Sequence, residues 1–336
     1  MNVYVHFPFC RSKCTYCALH SRAGSTGPAR TEYVKHLTEE LAALDIAPHS
    51  VETVYFGGGS PALCDLRPMT EALRRLTAPS CEFTVELHPL DVSDDTLFML
   101  EDGGVNRISM GVQSLDDATL RHMRRGYTAL EAERAFAKIR RRFENAGIDL
   151  IVGYPGDSSG TAELARLGWW GLAHCSVYSL ILESGSILAK QAQNLSFPTD
   201  DETLDKIRDV AALLRSIGLE RYEISNYARP GRECAHNMAV WRGEDYIGLG
   251  EGAHGRRGLQ RTESGNIETV TPEQDETERR IFRLRTIEGV DASNRPDWIH
   301  ALDGFAAQGL VTKHGGVYRL TERGTEVCDS ILLALV

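Results

Sequence analysis

Hydrophobic positions along the first two thirds of the chain come in two alternating rhythms. Short β-rich runs occur at Val3–Phe7, Val51–Phe56, Glu82–Leu87, Arg107–Met110, Asp149–Val152 and Ser176–Leu180. Between them lie longer stretches with apolar residues at helical spacing, such as Val34, Leu37, Leu41 and Leu44, or Leu204, Ile207, Val210 and Leu214. Strands alternating with helices predict right-handed βαβ units and a parallel sheet. Six such units make an incomplete barrel, a partial (β/α)6 arrangement of the TIM type, open on one side. In barrels of this kind functional residues gather where strands end and the following loops begin.

After residue 225 the rhythm changes. A stretch rich in glycine, polar and aromatic residues runs from Tyr222 to Gly255, and it reads as a functional loop. The polar, repeat-free segment from Gly255 to Glu276 reads as a linker, and Glu276–Thr286 as a helix. Beyond Asp291 the pattern is a helix near Pro296–Ala307, two short runs at Leu310–Lys313 and Val317–Leu320 around Gly315-Gly316, and a last helix. Helix, hairpin and helix suggest a small winged-helix-like unit. The expected organisation is therefore a barrel over residues 1–225, a loop region with a linker helix over 226–290, and the winged-helix-like unit over 291–336.

Composition narrows the class. The 336 residues are 42% hydrophobic and 25% charged, as in ordinary globular proteins, and no apolar run approaches a membrane-spanning length. No basic, apolar leader precedes the first motif, so the expected location is the cytoplasm. A formal charge of −10 argues against a nucleic-acid partner gripped through its phosphates. The acidic residues around the C-terminal unit likewise favour a lid or docking role for it over DNA binding.

Candidate chemistry begins directly after the first run, where Cys10, Cys14 and Cys17 stand at C-x3-C-x2-C spacing. A disulfide would need an oxidising compartment, which nothing here suggests. A structural zinc site closes with four ligands, and His20 is available as the fourth. A tight loop of three thiols also suits an iron–sulfur cubane, with one iron left free of protein ligands. Further along, Gly57-Gly58-Gly59-Ser60-Pro61 follows the second strand, where bare backbone can approach a ligand closely. Glu86 and Gln113 stand at strand ends, Asp149 opens an otherwise apolar strand, and Arg125 lies in a basic run. Each has a bland alternative as a solvated charge, a loop amide or a salt-bridge partner. His236, near Cys234, Met238 and Trp241, is a candidate ligand for a metal-bearing ring, against the plain alternative of a satisfied structural histidine.

Taken together, Tyr4 to Cys17, the Gly57–Pro61 turn, Asn106 to Ser114, Asp149 to Gly153 and Tyr222 to Gly255 resemble the radical S-adenosylmethionine superfamily. Within it they are similar to the family of oxygen-independent coproporphyrinogen III oxidases and heme chaperones (HemN/HemW). The resemblance implies a [4Fe-4S] cluster on Cys10, Cys14 and Cys17, and S-adenosylmethionine lined by Tyr4, Gly58, Gly59, Ser60, Glu86, Gln113, Arg125 and Asp149. It implies partners too: heme or another tetrapyrrole, an apo-hemoprotein acceptor and a low-potential electron donor.

Two departures separate the branches. The oxidase carries a further cysteine where this chain has Leu19, and a long arm where only nine residues precede Cys10. Both point to the chaperone branch, with porphyrinogen oxidation as the alternative. The chaperone branch's His-Asn-x-x-Tyr-Trp motif is matched by His236, Asn237 and Trp241 as the heme candidates, with Val240 in place of the tyrosine. Valine lacks that phenol's hydrogen bond. His88, two places after Glu86, replaces the small or amide residue expected there.

Overall fold

The computed structural model describes all 336 residues, except for the side chains of Thr161 and Ala162. Six parallel strands, β1 (Asn2–Phe7), β2 (Val51–Gly58), β3 (Thr77–Leu87), β4 (Arg107–Gln113), β5 (Asn145–Val152) and β6 (His174–Ser179), lie side by side in chain order. The outer edges do not meet. β1 pairs in parallel with Tyr246–Leu249, and β6 pairs antiparallel with Asn226–Ala228. The sheet therefore curves into an open partial barrel and extends to twelve strands.

Alternation along each strand decides what the barrel holds. Val3, Val5 and Phe7, Val54 and Phe56, Phe83 and Val85, Ile108 and Met110, and Ile148 and Leu150 belong to one buried apolar cluster with the helices. With a side-chain period of two, the intervening residues face the other way. They are Asn2, Tyr4 and His6, Thr53 and Tyr55, Glu82 and Glu86, Arg107 and Ser109, Asp149, and His174, Ser176 and Tyr178. The inner surface of the barrel is thus polar almost throughout, and the apolar core lies between sheet and helices.

Helix Gly27–Ala42 buries Val34, Leu37 and Leu41 as its spacing predicts, and it starts where Thr26 accepts a hydrogen bond from the Ala29 amide. Helix Asp200–Ser216 starts at a reciprocal cap between Thr199 and Glu202.

The linker expected from Gly255 to Glu276 is a correction. Strands His254–Arg257, Gln260–Glu263 and Asn266–Thr269 continue the main sheet as an antiparallel meander, and a helix runs from Pro272 to Leu284. These edge strands carry almost no apolar side chains, so periodicity could not reveal them. They are fastened by charge instead. Arg256 and Arg261 both pair with Asp275 and Glu278, and Arg279 Nε lies 2.8 Å from Asp275.

At the C-terminus, helix Pro296–Ala307, the hairpin Val311–His314 with Val317–Leu320, and two short helices form a unit with its own core of Trp298, Leu302, Tyr318 and Ile331. Val290–Asp291 adds a third strand to the hairpin. Arg208 reaches this unit from the barrel side, with Nε and Nη2 each 2.8 Å from a carboxylate oxygen of Glu326. Among the described residues no helix is long and apolar enough to cross a membrane.

Candidate functional site

The thiol loop is closed at its neck. Phe9–Cys10 pairs with Arg22–Ala23, and the Arg22 amide donates to the Pro8 carbonyl at 2.7 Å. Across its body, Thr15 donates its amide to Met123 O at 3.3 Å and its hydroxyl to His122 O at 3.1 Å, while Lys13 Nζ ties back to Leu19 O at 2.9 Å. The loop is thereby anchored to the segment that follows β4. Cys10, Cys14 and Cys17 are free, half-buried, and line one cavity of about 690 Å³ over the C-terminal ends of the strands. Burial pushes the Cys10 thiol up, opposed by a hydrogen bond with Ser21; the neighbouring Cys14 and Cys17 push it further up. Among the described residues no three His, Cys, Asp or Glu side chains converge on a single-ion position.

The glycine turn forms the adjoining wall. Gly58 has φ +109°, which only glycine adopts without strain, and a Cβ on Gly59 would stand 2.8 Å from Cys10 Sγ. Chain and thiol loop can therefore touch only through bare backbone. The Gly58 amide donates to Glu86 Oε2 at 3.2 Å, and Tyr55 OH donates to Glu86 Oε1 at 2.9 Å. Burial, reinforced by the charge of Asp149, pushes the Glu86 carboxyl up to about 7 against those two hydrogen bonds. Asp149 accepts from Ser109 Oγ at 3.0 Å.

At the end of β4 the register shifts between Gly111 and Gln113, and Gln113 adopts φ +71°. A bulge with a left-handed residue re-aims a side chain at a strand end, and here it turns Gln113 into the cavity wall. Buried Arg125 gives Nη2 to Gly111 O at 2.6 Å and Nη1 to Cys14 Sγ at 3.3 Å.

Of the residues singled out from sequence, the three cysteines, Gly58, Gly59, Glu86, Gln113, Arg125 and Asp149 line this cavity. Ser60 does not; it is buried, with its hydroxyl bound to the Asp91 carboxylate. Nor does Tyr4, whose hydroxyl meets His6 Nδ1 at 3.0 Å beside a second cavity. His88 also lines the thiol cavity; its Nδ1 accepts from the Leu90 amide at 3.2 Å, and burial, with the charges of Arg125 and Arg11, lowers it to about 2. Sequence reading missed Tyr55, Tyr178 and Asp91. Strand alternation was the available signal for Tyr55, which shares a face with Gly57. Asp91 gave none, since it holds Ser60 and Arg11 from a distant turn.

The second cavity, of about 540 Å³, is lined by Tyr4, His6, His20, His236, Val240 and His254, among others. It shares Ala18 and Leu19 with the first, so the tail of the thiol loop separates the two. His236 lies on helix Ala235–Trp241 and is buried against the inner face of β1 and β2, its ring 5.3 Å from that of Tyr55. Burial, with the charge of Arg107, lowers it to about 4, so the ring is neutral at physiological pH. Its motif companions go elsewhere. Trp241 packs edge-on against Phe282 at 5.7 Å and under Arg285, and Asn237 is absent from the cavity wall.

An open barrel of parallel strands with a three-cysteine loop after the first of them defines the class, that of the radical S-adenosylmethionine proteins. Residues 4–168 match the Radical SAM superfamily. The heme chaperone HemW of Bacillus subtilis (strain 168) is 30% identical, covering 96% of this chain and 96% of its own. That of Escherichia coli (strain K12) is 30% identical over 99% of this chain and 97% of its own. A mitochondrial radical S-adenosyl methionine domain-containing protein 1 from Mus musculus is 32% identical over 93% of this chain and 73% of its own. The fold matches the coproporphyrinogen III oxidase HemN of Escherichia coli with a TM-score of 0.81 over 99% of this chain and 89% of that one, at 21% identity. The chain belongs to the HemW family of the radical SAM superfamily.

Proposed function

We propose that this chain is a cytoplasmic heme chaperone. It holds a [4Fe-4S] cluster on Cys10, Cys14 and Cys17 and S-adenosylmethionine across the strand ends, and it carries heme on His236 for delivery to an apo-hemoprotein. The observation that carries the reading is the pair of adjoining cavities divided by Ala18 and Leu19, one lined by the three thiols and the other by His236.

The residues present fit these groups. Three thiols spread around an opening suit a cubane, in which each thiolate takes its own iron. Glu86 and Asp149 suit the cationic parts of S-adenosylmethionine, Arg125 suits its carboxylate, and Gly58 and Gly59 admit it close to the backbone. When bound, the cluster supplies one electron, received from a low-potential donor, to the sulfonium. Arg125 holds the Cys14 side of the loop while the inward set of Tyr55, Glu86 and Asp149 orients the ligand. A neutral imidazole at His236 offers a ring nitrogen to the iron of heme.

Anaerobic reconstitution followed by heme titration tests this reading. The expected result is about four irons per chain, lost in a Cys10→Ala, Cys14→Ala and Cys17→Ala triple variant, and a Soret band that changes in His236→Ala. A Soret band indifferent to His236→Ala overturns the heme assignment. Consumption of coproporphyrinogen III coupled to 5′-deoxyadenosine formation would replace it with the oxidase reading.

A further inference from the structure

His236 is not simply buried. Its Nδ1 stands 2.8 Å from Thr53 Oγ1, and the Thr53 hydroxyl in turn donates to Asn2 Oδ1 at 2.9 Å. The Asn2 amide group is itself oriented, because its Nδ2 donates to the Asp245 carbonyl at 3.1 Å and toward Glu244 Oε2 at 3.4 Å. Asn2 and Thr53 are register partners on β1 and β2, both on the inner face, and both are buried.

A hydroxyl carries a single proton. That of Thr53 is committed to Asn2, so toward the imidazole Thr53 can only accept. The proton in the Thr53–His236 contact must then sit on Nδ1. In a neutral imidazole the other nitrogen, Nε2, is left with its lone pair. Among the described residues Nε2 has no hydrogen-bond partner, it is not among the fully enclosed polar atoms, and the ring lines the 540 Å³ cavity.

We infer that Asn2 and Thr53 are positioning residues that hold His236 in its Nδ1–H tautomer and present Nε2 to the cavity as a ready-made ligand for iron porphyrin. The relay Asp245 carbonyl, Asn2 amide, Thr53 hydroxyl and His236 ring does for this histidine what a carboxylate or carbonyl partner does for metal-binding histidines generally: it fixes the tautomer and the ring plane. It runs across two strand starts, so the strand pairing itself aims the ligand. As to its use, the inference rests on the heme reading, but the tautomer stands apart from it.

Nitrogen-15 NMR of the full-length, heme-free chain, labelled at histidine, reads the tautomer directly. His236 is expected as Nδ1–H between pH 6 and 8; finding it as Nε2–H in the unaltered chain overturns the inference without recourse to any variant. In Thr53→Val the acceptor is gone, and the two tautomers should mix. Hemin titration of the same chain should then show affinity about tenfold weaker, with an altered iron–histidine stretch in resonance Raman spectra, both restored by Thr53→Ser. Unchanged tautomer and affinity in a folded Thr53→Val chain would sink the proposal. Heme binding indifferent to His236→Ala instead removes the heme reading and leaves the tautomer result to be judged alone.

Discussion

Arg125 and Cys14 are joined by a hydrogen bond from Nη1 to the sulfur at 3.3 Å, while the same guanidinium holds the Gly111 carbonyl at 2.6 Å. One side chain thus ties the thiol loop to the end of β4. Only a planar fork with several donors spans both partners. Its place in the cavity wall means that a bound ligand would compete for, or complete, this set of contacts.

Replacing Arg125 by Lys keeps the charge and loses the fork. S-adenosylmethionine affinity of the reconstituted chain should fall about tenfold, a loss of ~1.4 kcal/mol. Isothermal titration checks it. Unaltered affinity would reduce Arg125 to a brace between loop and strand.

Gly59 touches the thiol loop through bare backbone, and a methyl there would stand 2.8 Å from Cys10 Sγ and press on the Phe9 carbonyl. Gly59→Ala should cost about 1–3 kcal/mol by overpacking and lower the iron retained after reconstitution. Urea denaturation of the cluster-free chain and iron analysis separate the two effects.

The Glu86 carboxyl, raised from 4.5 to about 7 by burial and by Asp149, gives a pH signature. Below 4.5 folded and unfolded chains both carry its proton. Between there and about 7 the folded chain alone binds it, so stability falls as pH rises through this window and levels off above it. Glu86→Gln removes that fall. Relative to wild type it should be more stable above pH 7 by up to about 3 kcal/mol, measured by denaturant titration at pH 5 and pH 8. Parallel curves for the two proteins would show that Glu86 ionises freely.

Asp275 fastens the edge meander. Burial alone would raise its carboxyl, but hydrogen bonds from Arg279 and Arg261 and the charge of Arg256 hold it down to about 2. The stabilisation is therefore present above the ordinary value of 3.8 and lost as pH falls through about 2. Asp275→Asn strands the buried Arg256 guanidinium with Glu278 as its remaining anion. A loss of about 2–3 kcal/mol at neutral pH is expected, with earlier proteolysis between residues 258 and 270.

Much of this was legible in the chain. The six strands of the barrel and the helices that flank them follow from apolar runs that alternate with 3.6-residue stripes. Burial against the helix layer leaves that rhythm in the sequence. Cys10, Cys14 and Cys17 are adjacent in the chain, so their spacing alone proposes a metal-binding loop. The glycine turn, Glu86 and Gln113 stand at strand ends, where a barrel collects its working residues, whereas Asp149, expected to open its strand, lies inside Asn145–Val152. Tertiary structure decided what depends on contacts between distant segments. The edge meander is held by Arg256, Arg261 and Asp275 rather than by an apolar face, so no periodicity announced it. Ser60 and Tyr4 share the motif's sequence but turn away from the thiol cavity. The tautomer of His236 was beyond any linear reading, because it is set by a threonine 183 residues away and an asparagine on the neighbouring strand. Side-chain rhythm records burial; which proton sits on which nitrogen is recorded only where the strands meet.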